Sequence, residues 1–240
     1  SLLVGCSSGT ASSVPVSASS AAESTVSSVE ETASSAVDEN EAAAAQLLND
    51  LTGSYQELWP VILADEYKQT WLDDCTALVG EDNAEAAFEK LSSMVTGDVY
   101  GEDAVKAYAN GGGAYFCGFT NSLATLTFDG ETSTISGTDK DGNVLFSHTY
   151  HYIGMEPVHG LYEFESDDAD SGEFTYFFLA PDTSAETYHI EFRYGSDAEA
   201  LSQYDAGEYA YWVASGISTD CDQTMIDNCI ELFCTENLAG

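Results

Sequence analysis

Basic residues are almost missing from this chain. Its 240 residues include 5 Lys and Arg against 42 Asp and Glu, a formal net charge of −37. Such a surface repels phosphate backbones, so the chain is not a nucleic-acid binder. It also opposes docking to anionic lipid through charge, and it concentrates cations. No run of about 18 apolar residues is present, so nothing in the sequence reads as a membrane span. There is no P-loop, no G-x-S-x-G and no dinucleotide fingerprint. No spacing singles out a glycosidase-like carboxylate pair among the many acids. The expectation is therefore a binding protein and not an enzyme. What is abundant is apolar and aromatic: 44% hydrophobic residues, with 14 Tyr, 11 Phe and 3 Trp. That is enough for one sizeable core at this length.

The first residues, Leu2-Leu3-Val4-Gly5-Cys6, resemble a bacterial lipobox at the end of an apolar leader whose upstream part is not in the sequence. This reading makes residues 1–6 a signal-peptide remnant and Cys6 the lipidated anchor of an extracytoplasmic protein held at the bacterial cell surface. Residues 7–40 are rich in Ser, Ala, Val, Thr and Glu without periodicity and read as a disordered tether. Residues 41–240 read as the folded domain. Outside the cytoplasm, disulfides are allowed. Five cysteines remain, namely Cys75, Cys117, Cys221, Cys229 and Cys234. An odd count leaves at least one unpaired, buried free thiols are the alternative, and the spacing fixes no connectivity.

Residues 42–110 carry helical signals: one helix from Asp65 to Val79 stopping at Gly80, one over 83–95, and a short one over 102–109. From 113 to 194 the signals are β. Strands are expected at 114–119, 122–128, 131–137, 144–152, 158–165, 173–180 and 187–194, with Asp129-Gly130, Asp141-Gly142 and Ser171-Gly172 in the turns. Short strands joined by tight hairpins predict a meander closing into a barrel. Helices are expected again at 197–204, 207–214 and 221–235.

The strand Tyr188–Tyr194 carries the chemistry. Alternation puts His189, Glu191 and Arg193, the chain's one Arg, on one face. Tyr188, Ile190, Phe192 and Tyr194 take the other. A His and a Glu two residues apart form an N/O pair that zinc accepts. Arg193 is expected to pair with Glu163 or Glu165.

Five segments, in order, resemble signatures of the ZinT (YodA-like) family. Gly53-Ser-Tyr-Gln-Glu-Leu-Trp-Pro60 is similar to its G-x-W-Q-S-v-Y-P, and Tyr150-His-Tyr-Ile-Gly154 to its Y-x-Y-x-G. Leu161–Glu165 is similar to its V-R-Y-l-F-E, and Phe174–Pro181 to its F-S-D-H-x-x-A-P. His189-Ile-Glu-Phe-Arg-Tyr-Gly-Ser-Asp197 resembles its H-F-H-I-x-x-G-N-D. The resemblance implies an α+β fold: a lipocalin-like (calycin) antiparallel β-barrel flanked by N-terminal and C-terminal helices. It also implies a three-histidine site for zinc or cadmium. Carried over, the H-x-H positions fall on His189 and Glu191, and the first histidine falls on Phe177, which cannot bind a metal.

Hairpin turns centred near 155, 169 and 184 would align His151 with His159, His159 with Leu179, and Leu179 with His189. The expected site is then His189, Glu191, His159 and His151, a complete set for tetrahedral zinc facing a polar lumen. The apolar strand faces would pack against the helices. His148, on the opposite parity from His151, is expected to be structural. The resulting reading is a monomeric, lipid-anchored binder of a divalent transition metal, zinc first, for capture or handover to a metal ABC transporter. The alternative is a calycin that binds a small organic ligand or a surface partner and carries a degenerate metal site.

Overall fold

The computed structural model describes residues 39–96, 115–181 and 189–240. The lipobox with Cys6, most of the tether, the helix expected at 102–109 and Tyr188 lie outside the described residues.

Residues 39–50 form helix α1, followed by strand β1 (Gly53–Glu57) and the short helix α2 (Leu58–Ile62). Helices α3 (Lys68–Val79) and α4 (Glu81–Thr96) come next. Gly80 separates them at φ +85°, a conformation that favours glycine and ends α3 where the sequence predicted. Glu81 and Asp82 then sit in the first turn of α4, where the helix dipole favours acids. Strands β2 (Thr125–Asp129), β3 (Thr134–Thr138), β4 (Val144–Met155), β5 (Tyr162–Ser166), β6 (Tyr176–Leu179) and β7 (His189–Gly195) follow. The short helix α5 (Ala198–Leu201), strand β8 (Ala214–Ser218) and helix α6 (Gln223–Leu238) complete the fold.

The eight strands form one closed antiparallel barrel in chain order, with β1 hydrogen-bonded to both β2 and β8. With helices before and after it in the chain, this is the calycin-like architecture that the sequence predicts. Turn chemistry sets the hairpins. The Asp129 carboxylate accepts the N–H groups of Glu131 and Thr132, and that of Asp139 accepts those of Asp141 and Asn143. The bond from the Asn143 side chain, more than any other cause, holds the Asp139 carboxyl below its ordinary range.

Two strands depart from expectation, and they are the two that close the barrel. Gly53–Glu57 falls in the stretch read as helical, and 207–214 was expected to be a helix. Instead the chain turns there and enters β8, Ala-Ser-Gly-Ile-Ser. Apart from Ile217 this strand lacks the β-branched and aromatic residues that signal strands, and at Gly216 there is little room for a side chain. A Cβ on Gly216 would lie 3.1 Å from the Ile190 side chain. The strand expected at 114–119 is reduced, in its described part, to an isolated bridge between Phe116 and Trp212.

The lumen is apolar, which reverses the expected inside and outside. Along β7, Ile190, Phe192 and Tyr194 point into the barrel and His189, Glu191 and Arg193 point out. Phe177 stacks inside against Phe146, Phe192 and Tyr194, with centroids 5.7, 6.4 and 5.3 Å apart. Phe146 in turn stacks on Phe174 at 4.1 Å. An eight-stranded barrel is just wide enough to be filled by side chains, and rings fill it efficiently. Alternation separates two faces but does not say which one is concave. A second apolar layer lies outside the barrel, where Trp59, Trp71 and Phe233 meet between α2, α3 and α6. The Trp71 indole N–H donates to the Ile62 carbonyl at 2.7 Å.

Candidate metal centre

Every residue of β7 is buried, on both faces. The inner face meets the lumen and the outer face lies under protein at both ends. At the start of β7, α2 and α6 cover His189 and Glu191, which are 8% and 4% exposed. His189 pairs across the ladder with Ile217 and Glu191 with Ser215. Two residues along a strand separate their backbones by about 6.6 Å on one face, close enough to share an ion.

Both side chains line a recess of about 20 Å³, together with Cys229, Phe233 and Glu236 of α6 and Trp59 of α2. That volume suits one water-sized species. Around it stand a nitrogen donor, two carboxylates and a sulfur, the types of donor zinc takes. Burial, with the charge of Cys221 adding to it, pushes the Cys229 thiol up to about 12. Cys117, wholly buried next to this recess, is also pushed up, first by burial and then by the negative charge of Glu191. Both are therefore thiols at neutral pH, and either would release a proton on binding a metal. The donor types fit zinc, but they are not drawn together: among the described residues no group of three or more His, Cys, Asp or Glu is disposed to hold a metal ion.

Cys229 and Glu236 did not stand out in the sequence reading. The signal is their spacing with Phe233, at intervals of four and three on α6. A cysteine and a glutamate thus interrupt a helical stripe that otherwise faces the core.

The other two expected ligands stand elsewhere. His151 lies on β4, opposite Glu165 and not opposite His159. It is half exposed, and its Nδ1 bonds the Asp167 carboxylate at 2.6 Å. Three strand spacings, about 14 Å, separate β4 from β7. His159 is not on a strand at all. It occupies the β4–β5 turn, where the Glu156 carboxylate accepts its backbone N–H at 2.9 Å and that of Val158. The turn lies beyond the expected centre because β4 runs on to Met155, and the register slips between Tyr152 and Gly154. Leu179 faces Tyr162 and Phe192, so the predicted row of histidines does not form. His148 does have the opposite parity from His151, with its Nδ1 2.6 Å from Asp168.

The His159 ring sits edge-on over Tyr204, 4.3 Å between centroids, and burial lowers its basicity. Tyr204 lies under the Arg193 guanidinium at 4.2 Å and donates to Glu156 at 3.2 Å. This cluster is at the far end of β7, about 13 Å along the strand from His189. Arg193 does not take Glu163 or Glu165 as its hydrogen-bond partner. Its guanidinium donates to the carbonyls of Leu201, Gln203, Tyr209 and Trp212. It thereby ties the 196–213 segment to the barrel wall. Replacing Arg193 with Met should cost about 2–3 kcal/mol in urea unfolding, since four carbonyls lose a charged donor and must find water.

The molecule is thus a calycin-like barrel in which the His–Glu pair of strand β7 is roofed by α2 and α6. No family model matches the chain, and no curated protein matches it. Among solved structures, it is similar to the Zn(II)-bound ZinT-like domain of Streptococcus pneumoniae AdcA, at 15% identity and TM-score 0.47, over 75% of this chain and 87% of that one. It is also similar to Zn(II)-bound AdcA from the same organism, at 16% identity and TM-score 0.43, over 76% of this chain and 34% of that one. No helix among the described residues is long and apolar enough to cross a membrane.

Proposed function

We propose that this protein binds a divalent transition metal ion, zinc before others, in the recess between β7 and α6. One observation carries the reading. His189 and Glu191, the pair carried over from the ZinT-like motif, are buried side by side in a recess also lined by Cys229 and Glu236. His189 and Glu191 would anchor the ion, with Glu236 and Cys229 turning onto it from α6. The strongly acidic surface supports the role by raising the local cation concentration. Capture outside the cytoplasm, attachment through Cys6 and handover to an uptake system complete the proposal. They rest on the sequence resemblance alone. The stacked rings in the lumen count against the alternative of an organic ligand bound inside the barrel.

Calorimetric titration of zinc into the demetallated full chain tests the reading. Binding should be one ion per chain and tighter than about 10 μM, some −7 kcal/mol. Weaker binding, or none, sinks it. His151→Ala and His159→Ala should each leave the affinity within about twofold, because neither side chain reaches the recess. A tenfold loss in either variant would return the site to the wall of β4 and β5.

A further inference from the structure

Cys75 on α3 and Cys234 on α6 bring their sulfurs to 3.9 Å of one another. They are 159 residues apart in sequence, both fully buried, and they sit where α3 packs on α6. The two thiols meet in an apolar layer, and among the described residues no group that could hold a metal ion accounts for their meeting. We infer that Cys75 and Cys234 are a disulfide pair that staples α6 to α3. Bond formation would bring the sulfurs from 3.9 Å to roughly 2.05 Å. Cys117, Cys221 and Cys229 remain thiols, which is the outcome an odd count of five allows.

The chemistry is a two-electron exchange with an external disulfide, of an oxidoreductase or a small dithiol. The thiolate of one cysteine attacks that disulfide, forming a mixed disulfide and expelling one thiolate. The second cysteine then attacks the first cysteine's sulfur, forms the S–S bond and expels the other thiolate. The two protein thiols are oxidised, the external disulfide is reduced to two thiols, and the two protons pass to it. Timing follows from burial. Desolvation raises both thiols above their ordinary value, and both side chains are fully buried. Exchange therefore belongs to folding, before α3 and α6 close, and once formed the bond is shielded from reductants.

The staple acts on the helix that roofs the recess, since Cys234 adjoins Phe233 and lies between Cys229 and Glu236. Its existence does not depend on the metal reading.

The test is refolding of the full chain with a glutathione redox couple, then alkylation under denaturing conditions and non-reducing peptide mapping by mass spectrometry. A single linked peptide joining Cys75 to Cys234 is expected. Melting should fall by on the order of 10 °C when reductant is added before refolding. Cys75→Ala/Cys234→Ala should melt at the same temperature with or without reductant. Complete alkylation of both cysteines after oxidative refolding overturns the inference, as does linkage of either one to a different cysteine. If the double variant fails to fold, the wild-type peptide map alone decides.

Discussion

Replacing His189 with alanine should weaken zinc binding by on the order of a hundredfold or more. Loss of outer-shell partners already costs ten- to a hundredfold, and His189 is the one nitrogen donor among the recess side chains. Carboxylate and thiolate alone would leave a site that prefers other ions and has lost a strand-anchored ligand. Glu191→Gln separates charge from shape. It keeps the volume in a recess of about 20 Å³ but removes a negative charge facing the cation, so affinity should fall by about tenfold or more. Calorimetry or competition with a chromophoric chelator measures both. The pH dependence has a definite sign. The Cys229 thiol is held up near 12 in the free protein, so its recruitment releases a proton and affinity rises with pH. If His189→Ala binds zinc as tightly as the parent chain while still folded by circular dichroism, the recess is not the site.

How much of this was legible beforehand depends on what each signal measures. Alternation located β2 to β7 well, because half-buried strands write their two faces into the sequence. It could not say which face was inside. The rings of Phe146, Phe174, Phe177 and Tyr194 fill the lumen, while His189, Glu191 and Arg193 face out and are then covered. Covering is a tertiary event: α6 and the 196–213 segment come from later in the chain. Closure was equally hidden. β1 begins at Gly53 beside a helical stretch, and β8 is mostly small residues, with Gly216 set against Ile190 and the Gln56 backbone. The histidine row failed for a local reason. Moving the β4–β5 turn to the Glu156–Gly160 segment shifted every partner across the hairpin and placed His159 in the turn itself. The pair on β7 survived because two residues on one strand need no register.

Phe177 joins the two questions, and changing it should have the largest effect on stability. Its side chain is fully buried and lies in ring contact with Phe146, Tyr150, Phe192 and Tyr194. Phe177→Ala removes the centre of that stack and leaves a cavity that rigid barrel walls cannot collapse into. The expected loss is about 3–5 kcal/mol in urea or thermal unfolding. A loss below about 1 kcal/mol would mean the lumen is not packed as described. Phe177→His tests the family correspondence directly, since the family's first histidine falls here. Phe177 faces Tyr194 across the β6–β7 ladder, so its side chain lies on the inner face, opposite to His189 and Glu191. An imidazole at this position would stand among aromatic rings with its ring nitrogens buried. The variant should therefore lose about 2 kcal/mol or more of stability and gain no zinc affinity. A tighter zinc complex from Phe177→His would show instead that position 177 can reach the ion and that the lumen, not the recess under α6, holds the site.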